Sequence, residues 1–271
     1  MVNNNTKEII CKWYDKLGFM PQHNAAFEQA LAEIEISDTI TAENYDCGSK
    51  DGKRNLLSFL FMCEALEKKY KEKEIDEKIL VDTMRDISIW TDVWSKIKGE
   101  TYLGELGWLR CHLLMKLFRL GSLEFMAGKS TLDCPELELK KGDNIVEVHI
   151  PHNASLSKES CERSLNMARE FFAKYYPDYN FNYFTCHSWL LDTVLEKFLK
   201  PESNILGFQR MFNIIKGAED ESYSALKYIF DWDTNEKNLI NKHPVSSLAE
   251  NIKKHVLAGG KLYARLGVIK K

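Results

Sequence analysis

Between Asn144 and Cys186 the hydrophobic period of the chain changes from two to 3.6 and back to two, a pattern that few folds accommodate. Asn144-Ile145-Val146-Glu147-Val148-His149-Ile150 alternates: Ile145 apart, the valines and Ile150 face one way and Glu147 and His149 the other. Pro151 has no amide hydrogen and stops that ladder. Ser157 to Tyr176 then carries Cys161, Leu165, Ala168, Phe172 and Tyr175 on one helical face. Ser157 suits its cap, and Glu159 its positive first turn. Pro177-Asp178 closes the helix, and Phe181 to Cys186 reads as the next strand. Two strands joined by such a helix run parallel, with a right-handed crossover.

The segment in front is helical in texture. Apolar stripes predict helices over Lys7 to Leu17 (with Gly18 just past its end), Ala25 to Ile34, Leu56 to Tyr70, Ile75 to Ile97 and about Glu105 to Phe118. Asp46 to Gly52 is a loop by composition. Leu120 to Gly128 reads as a strand running into a turn. Thr193-x-x-Glu196 reads as a capping box heading a short helix that ends near Leu199. Ile205 to Ile215 and Ala225 to Trp232 are expected as two strands, paired antiparallel across Lys216 to Ser224. A helix follows over Ser246 to Leu257, and Gly259-Gly260 precedes a basic, solvated tail. The expected fold class is α/β (α+β): an all-helical domain over 1–117, then a mixed sheet flanked by helices over 118–271, with a helical tail.

Charge and composition remove several classes of function. A net charge of −3 gives no global positive field for nucleic acid or an anionic membrane. The N-terminal residues lack the pattern of a signal peptide. The longest apolar stretch, Trp108 to Leu123, is broken by Arg110, His112, Lys116 and Arg119, so no membrane span is expected. Seven cysteines stand scattered and never as C-x-x-C, which points to a reducing, cytoplasmic setting without disulfides. His23, His112, His243 and His255 have no metal-ligand spacing, and no metal is expected. Neither G-x-x-x-x-G-K-[ST] nor G-x-G-x-x-G occurs.

Four segments carry a resemblance: Phe118 to Phe125, Val148-His149-Ile150-Pro151, Cys186-His187-Ser188-Trp189-Leu190-Leu191-Asp192, and Ser203 to Phe212. In this order they resemble bacterial acyltransferases that pair a helical N-terminal domain with a GNAT-like C-terminal domain. The resemblance implies a sheet that splays beside its central strand, where the pantetheine arm of an acyl-CoA co-substrate pairs with the backbone of Val148 and Ile150. It also implies that the coenzyme pyrophosphate meets the start of the next helix, near Asn153, Ser155, Ser157 and Lys158. A helix N-terminus offers unpaired donors and a positive dipole to such an anion. The loop Pro151-His152-Asn153-Ala154-Ser155-Leu156-Ser157 departs from the family pattern in having no glycine.

Transfer of an acyl group to an amine requires a base for the amine proton and an acid for the leaving thiolate. Glu147 and His149 share one strand face, and the histidine titrates near working pH; either serves as the base, or His149 bonds across the sheet structurally. His187 or Ser188 is placed to protonate the thiolate, while Ser188 equally suits a strand-to-helix cap. Cys186 as a nucleophile is the lesser option, because its neighbour His187 points to the opposite face. The expected partners are a small-molecule or peptide amine acceptor and a donor that is acyl-CoA or an acyl-carrier protein. The alternative is a non-catalytic module that binds acyl-CoA or peptide, which the glycine-free loop favours.

Overall fold

The computed structural model describes residues 4–215, 219–220 (backbone only) and 222–271. The chain divides into two compact units, Met1–Arg119 and Leu120–Lys271. Among the described residues no helix is long and apolar enough to cross a membrane.

The first unit is helical: α1 Asn4–Leu17, α2 Asn24–Glu33, α3 Gly52–Glu72, α4 Glu77–Met84, α5 Asp86–Lys98 and α6 Leu106–Leu113. Gly18 ends α1 with φ +67°, a left-handed conformation that costs glycine little. Helix α3 touches the other five and is capped by Asp51, whose carboxylate accepts the Arg54 amide. Its Leu56, Leu57, Leu60, Cys63, Leu66 and Tyr70 are buried. The stripe expected as one helix over Ile75 to Ile97 is two, α4 and α5, joined at Arg85. The apolar period runs on through the joint, which hides it. Asp86 opens α5, where a helix start favours an anion, and its buried carboxylate accepts Trp108 Nε1–H at 3.0 Å and faces His112 Nε2 at 3.2 Å. The helix expected from Glu105 to Phe118 stops at Leu113. Met115 turns the chain left-handed (φ +55°), and Leu117 and Phe118 already belong to a strand.

Strand β1, Leu117–Leu120, carries the chain into the second unit. There follow β2 Leu123–Lys129, β3 Asn144–His149, α7 Lys158–Tyr175, β4 Tyr183–Ser188, α8 Asn204–Gln209, β5 Asn213–Ile214, β6 Glu219–Asp220, α9 Ser222–Ile229, α10 Ser247–Leu257 and β7 Tyr263–Lys270. The sheet runs β1-β2-β3-β4-β7-β5, with β6 also on β7. The β3–β4 pair is parallel, as the strand–helix–strand pattern predicts; β2–β3, β4–β7, β5–β7 and β6–β7 are antiparallel. This is the α/β class, a mixed sheet with helices.

Four expectations fail in the second unit. Ile205 to Ile215 is not one strand: Ser203 caps α8, and only Asn213–Ile214 pairs with β7. Ala225 to Trp232 begins within α9, whose buried Ser222, Ala225 and Leu226 recur at helical spacing. The connection expected across Lys216 to Ser224 lies partly outside the described residues. The supposed tail after Gly259-Gly260 is β7, an interior strand whose Gly267 lets Leu191 and Phe212 approach: a Cβ there would lie 2.8 Å from both side chains. Asp192, not Thr193, caps the turn at Thr193–Lys197. Its buried carboxylate also accepts the Tyr263 amide at 2.8 Å and meets Arg265 Nε at 3.3 Å.

One face of this sheet is closed. Phe125, Val146, Val148, Phe184 and Cys186 are buried there, and ring contacts run Phe172–Phe181–Phe184–Phe125 at 5.7, 5.2 and 5.9 Å. On the other face, Cys134 and Leu139 pack on Ile145, Tyr183 and Val268 at one end.

In the helical unit, Glu67 is buried and bonded to Lys12 at 2.8 Å and Lys16 at 3.2 Å. Burial alone would raise its carboxyl, but hydrogen bonds and charge from both lysines outweigh that and bring it from 4.5 down to about 2. A depressed carboxyl contributes stability above its unfolded value and loses it as pH falls towards the folded one. Glu67→Gln is therefore expected to cost about 1–2 kcal/mol at pH 7. Urea unfolding across pH should show that difference shrinking between about pH 4.5 and pH 2.

Candidate active site

Strands β3 and β4 pair over only Ile145–Tyr183, Val146–Phe184 and Glu147–Thr185. Both strands continue: β3 stays on β2 as far as His149 opposite Glu124, and β4 stays on β7 as far as Ser188 opposite Arg265. Each strand thus holds its outer neighbour while leaving the inner one. The result is a wedge with its apex at Glu147 and Thr185. Beyond the apex, the edge of β3 at Val148 lies outside the β3–β4 ladder.

A cavity of about 460 Å³ opens on the face opposite the aromatic core at this apex, and Glu147, His149, Thr185 and His187 line it together with Leu132 and Leu266. The period of two explains the gathering, since Glu147 and His149 alternate on one strand as Thr185 and His187 do on the next. Glu147 Oε2 lies 3.5 Å from His149 Nε2, and both side chains are about one-third exposed. Gly128, opposite Ile145 on β2, makes room for the carboxylate, because a Cβ there would stand 2.4 Å from Glu147 Oε1. Tyr179 fixes the same end, its hydroxyl reaching the carbonyls of Gly128 and, at 2.8 Å, Ile145. Burial raises that phenol above its ordinary value.

The other expected residues divide. His187 is exposed within the cavity, whereas Ser188 lies outside its lining and accepts the Leu190 amide at 3.1 Å as a cap. Cys186 is on the closed face, and burial pushes its thiol up to about 12. It is therefore held as a thiol rather than the nucleophilic thiolate. Val148 turns its side chain to the closed face and Ile150 is half-buried.

The loop after β3 is pinned to its surroundings. Ala154 N–H bonds the Pro151 carbonyl at 2.9 Å, and the Ser155 carbonyl accepts Ser122 Oγ–H at 2.7 Å. Ser122 N–H in turn donates to Ser164 Oγ on α7 at 2.8 Å. Ser157 caps α7 by accepting the Ser160 amide. Asn153 and Lys158 are exposed, the latter 3.7 Å from Glu162. Thr185 escaped the sequence reading, although its spacing of two from His187 repeats that of Glu147 and His149.

Residues 8–115 match the family described as N-acyltransferase N-terminal domain, and residues 117–269 the one described as GNAT-like C-terminal domain. No curated protein matches the chain. Among solved structures, an acyltransferase in complex with decanoyl-CoA and teicoplanin is similar at TM-score 0.71 and 25% identity, over 80% of this chain and 66% of its own. An acyltransferase in complex with CoA and 10C-teicoplanin is similar in fold at TM-score 0.71 and 23% identity, with the same coverage. The chain thus spans just under two-thirds of the length of these structures.

Two outcomes test this geometry. Gly128→Ala should push the Glu147 carboxylate away from His149 and shift the His149 ring resonances in the same direction as Glu147→Gln does, read by NMR. Native Cys186 should stay unmodified by iodoacetamide at pH 8 while the unfolded chain reacts, read by peptide mass spectrometry.

Proposed function

Since the chain belongs to the family with a GNAT-like C-terminal domain, we propose that it is an acyl-CoA-dependent N-acyltransferase, moving an acyl group from a pantetheine thioester to an amine. The observation that carries this reading is the wedge, with its three-pair ladder and a carboxylate and two imidazoles lining the cavity at its apex. A pantetheine arm has amide groups of its own, and the β3 edge beyond Glu147 offers them a strand to pair with at Val148 and Ile150. The pyrophosphate then falls to the start of α7 and its loop, at Asn153, Ser155, Ser157 and Lys158. The acyltransferase solved with decanoyl-CoA and teicoplanin supports an acyl-CoA donor and a small-molecule or peptide amine acceptor. We assign the helical part to residues 1–117 and the transferase part to 118–271. Free cysteines throughout suit a bacterial cytoplasm.

In the reaction, the Glu147–His149 pair takes the amine proton and the nitrogen lone pair forms the C–N bond. The C–S bond breaks, and His187 gives the thiolate its proton; Ser188 stays with its cap. The loop between β3 and α7 lacks glycine, which favours a second reading, a module that binds acyl-CoA without turnover.

Mixing the protein with acetyl-, octanoyl- or decanoyl-CoA and a panel of amines separates the two readings. Amine-dependent release of CoA is expected; tight binding without release supports the module. Transfer from acyl-carrier protein but not from acyl-CoA would reassign the donor. Glu147→Gln and His149→Ala should each lower turnover by roughly 100-fold or more with melting temperature nearly unchanged, and loss of folding would make these residues structural.

A further inference from the structure

At the apex of the wedge, Thr185 has no assigned part. The residue is only 4% exposed, yet it lines the cavity and stands opposite Glu147 in the last pair of the parallel ladder. Paired residues of a ladder project to the same face, so its hydroxyl shares the cavity side with the Glu147 carboxylate. Among the described residues none gives that hydroxyl a hydrogen-bond partner. The hydroxyl is not among the sealed side-chain atoms without a partner, so it opens to the cavity, where a ligand can bond it. Its neighbours on that face are a carboxylate and two imidazoles, which are groups suited to an ammonium or amine rather than to an anion.

We propose that Thr185 Oγ1 accepts one N–H of the acceptor amine, opposite the Glu147–His149 pair, and thereby turns the nitrogen lone pair towards the thioester carbon. This deepens the transferase reading and rests on it. The step balances as one thioester and one amine giving one amide and one thiol. One nitrogen proton goes to the Glu147–His149 pair, a second N–H stays bonded to Thr185 while the C–N bond forms, and the thiolate leaves with a proton from His187. An amine that supplies both protons is primary. An N-methyl amine must give up one of the two contacts. Sites built to bond a polar hydrogen reject analogues lacking it.

The test uses the full chain with octanoyl-CoA and three primary amines, hexylamine, benzylamine and phenylalaninamide, each beside its N-methyl counterpart. Wild type is expected to prefer the primary member of each pair. Thr185→Val should lower kcat/KM for the primary amines roughly 10- to 100-fold and change the N-methyl amines by less than about threefold. Thr185→Ser should restore the primary-amine rate to within about threefold. Octanoyl-CoA affinity, melting temperature and the midpoint of the pH–rate profile should stay as in wild type. A valine variant that is as fast as wild type, or one that loses both amine classes equally without rescue by serine, overturns the role of Thr185 alone. A wild type that releases no CoA with any of the six amines overturns the transfer reading, and this inference with it.

Discussion

A β-strand has two edges, and in this sheet β3 and β4 each commit one edge fully and the other only in part. The antiparallel ladders on the outside, β2–β3 and β4–β7, run to the ends of both strands, whereas the parallel ladder between them stops at Glu147–Thr185. The outer pairing holds the strands in place without the inner one. Strand edges that part inside a core would leave amide and carbonyl groups with no partner. Here they part beside an open cavity, where water or a ligand satisfies them. The remaining features of the site follow from that divergence.

The two faces of the sheet divide the labour. On the closed face, Phe125, Val146, Val148 and Phe184 supply the burial that fixes the strands, with Phe172 and Phe181 completing the ring contacts. On the open face the same strands present Glu147, His149, Thr185 and His187. Because side chains alternate, each cavity-lining residue has a buried neighbour in sequence that holds it in place. Cys186 and His187 make the point: adjacent in the chain, one is a sealed thiol and the other faces the cavity.

The central strand and its two polar residues were legible because a period of two over Asn144 to Ile150 has one structural meaning. Ser157 was legible as a cap for a local reason, since a hydroxyl before a helical stripe has one donor set to meet. Long-range features were not legible. The β7 strand hides among Lys261, Arg265 and Lys270, and only its pairing with β4 and β5 reveals it. Helices α8 and α9 were mistaken for strands because short apolar runs rich in aromatic and branched residues fit either period. Where a ladder ends depends on two segments at once, so neither the wedge nor the place of Thr185 at its apex could be read from one segment.

Strand β7 has a consequence for the order in which the molecule takes shape. The β4 arm of the wedge is bonded along its whole outer edge by residues some way down the chain, from Arg265 to Lys270. During synthesis, β2, β3 and α7 emerge early and find one another at short range. β4 must wait until the ribosome has released those later residues, and pairing across so long a span closes slowly. The two sides of the cleft are thus born at different times, and a nascent chain holds one rigid wall long before it has the second.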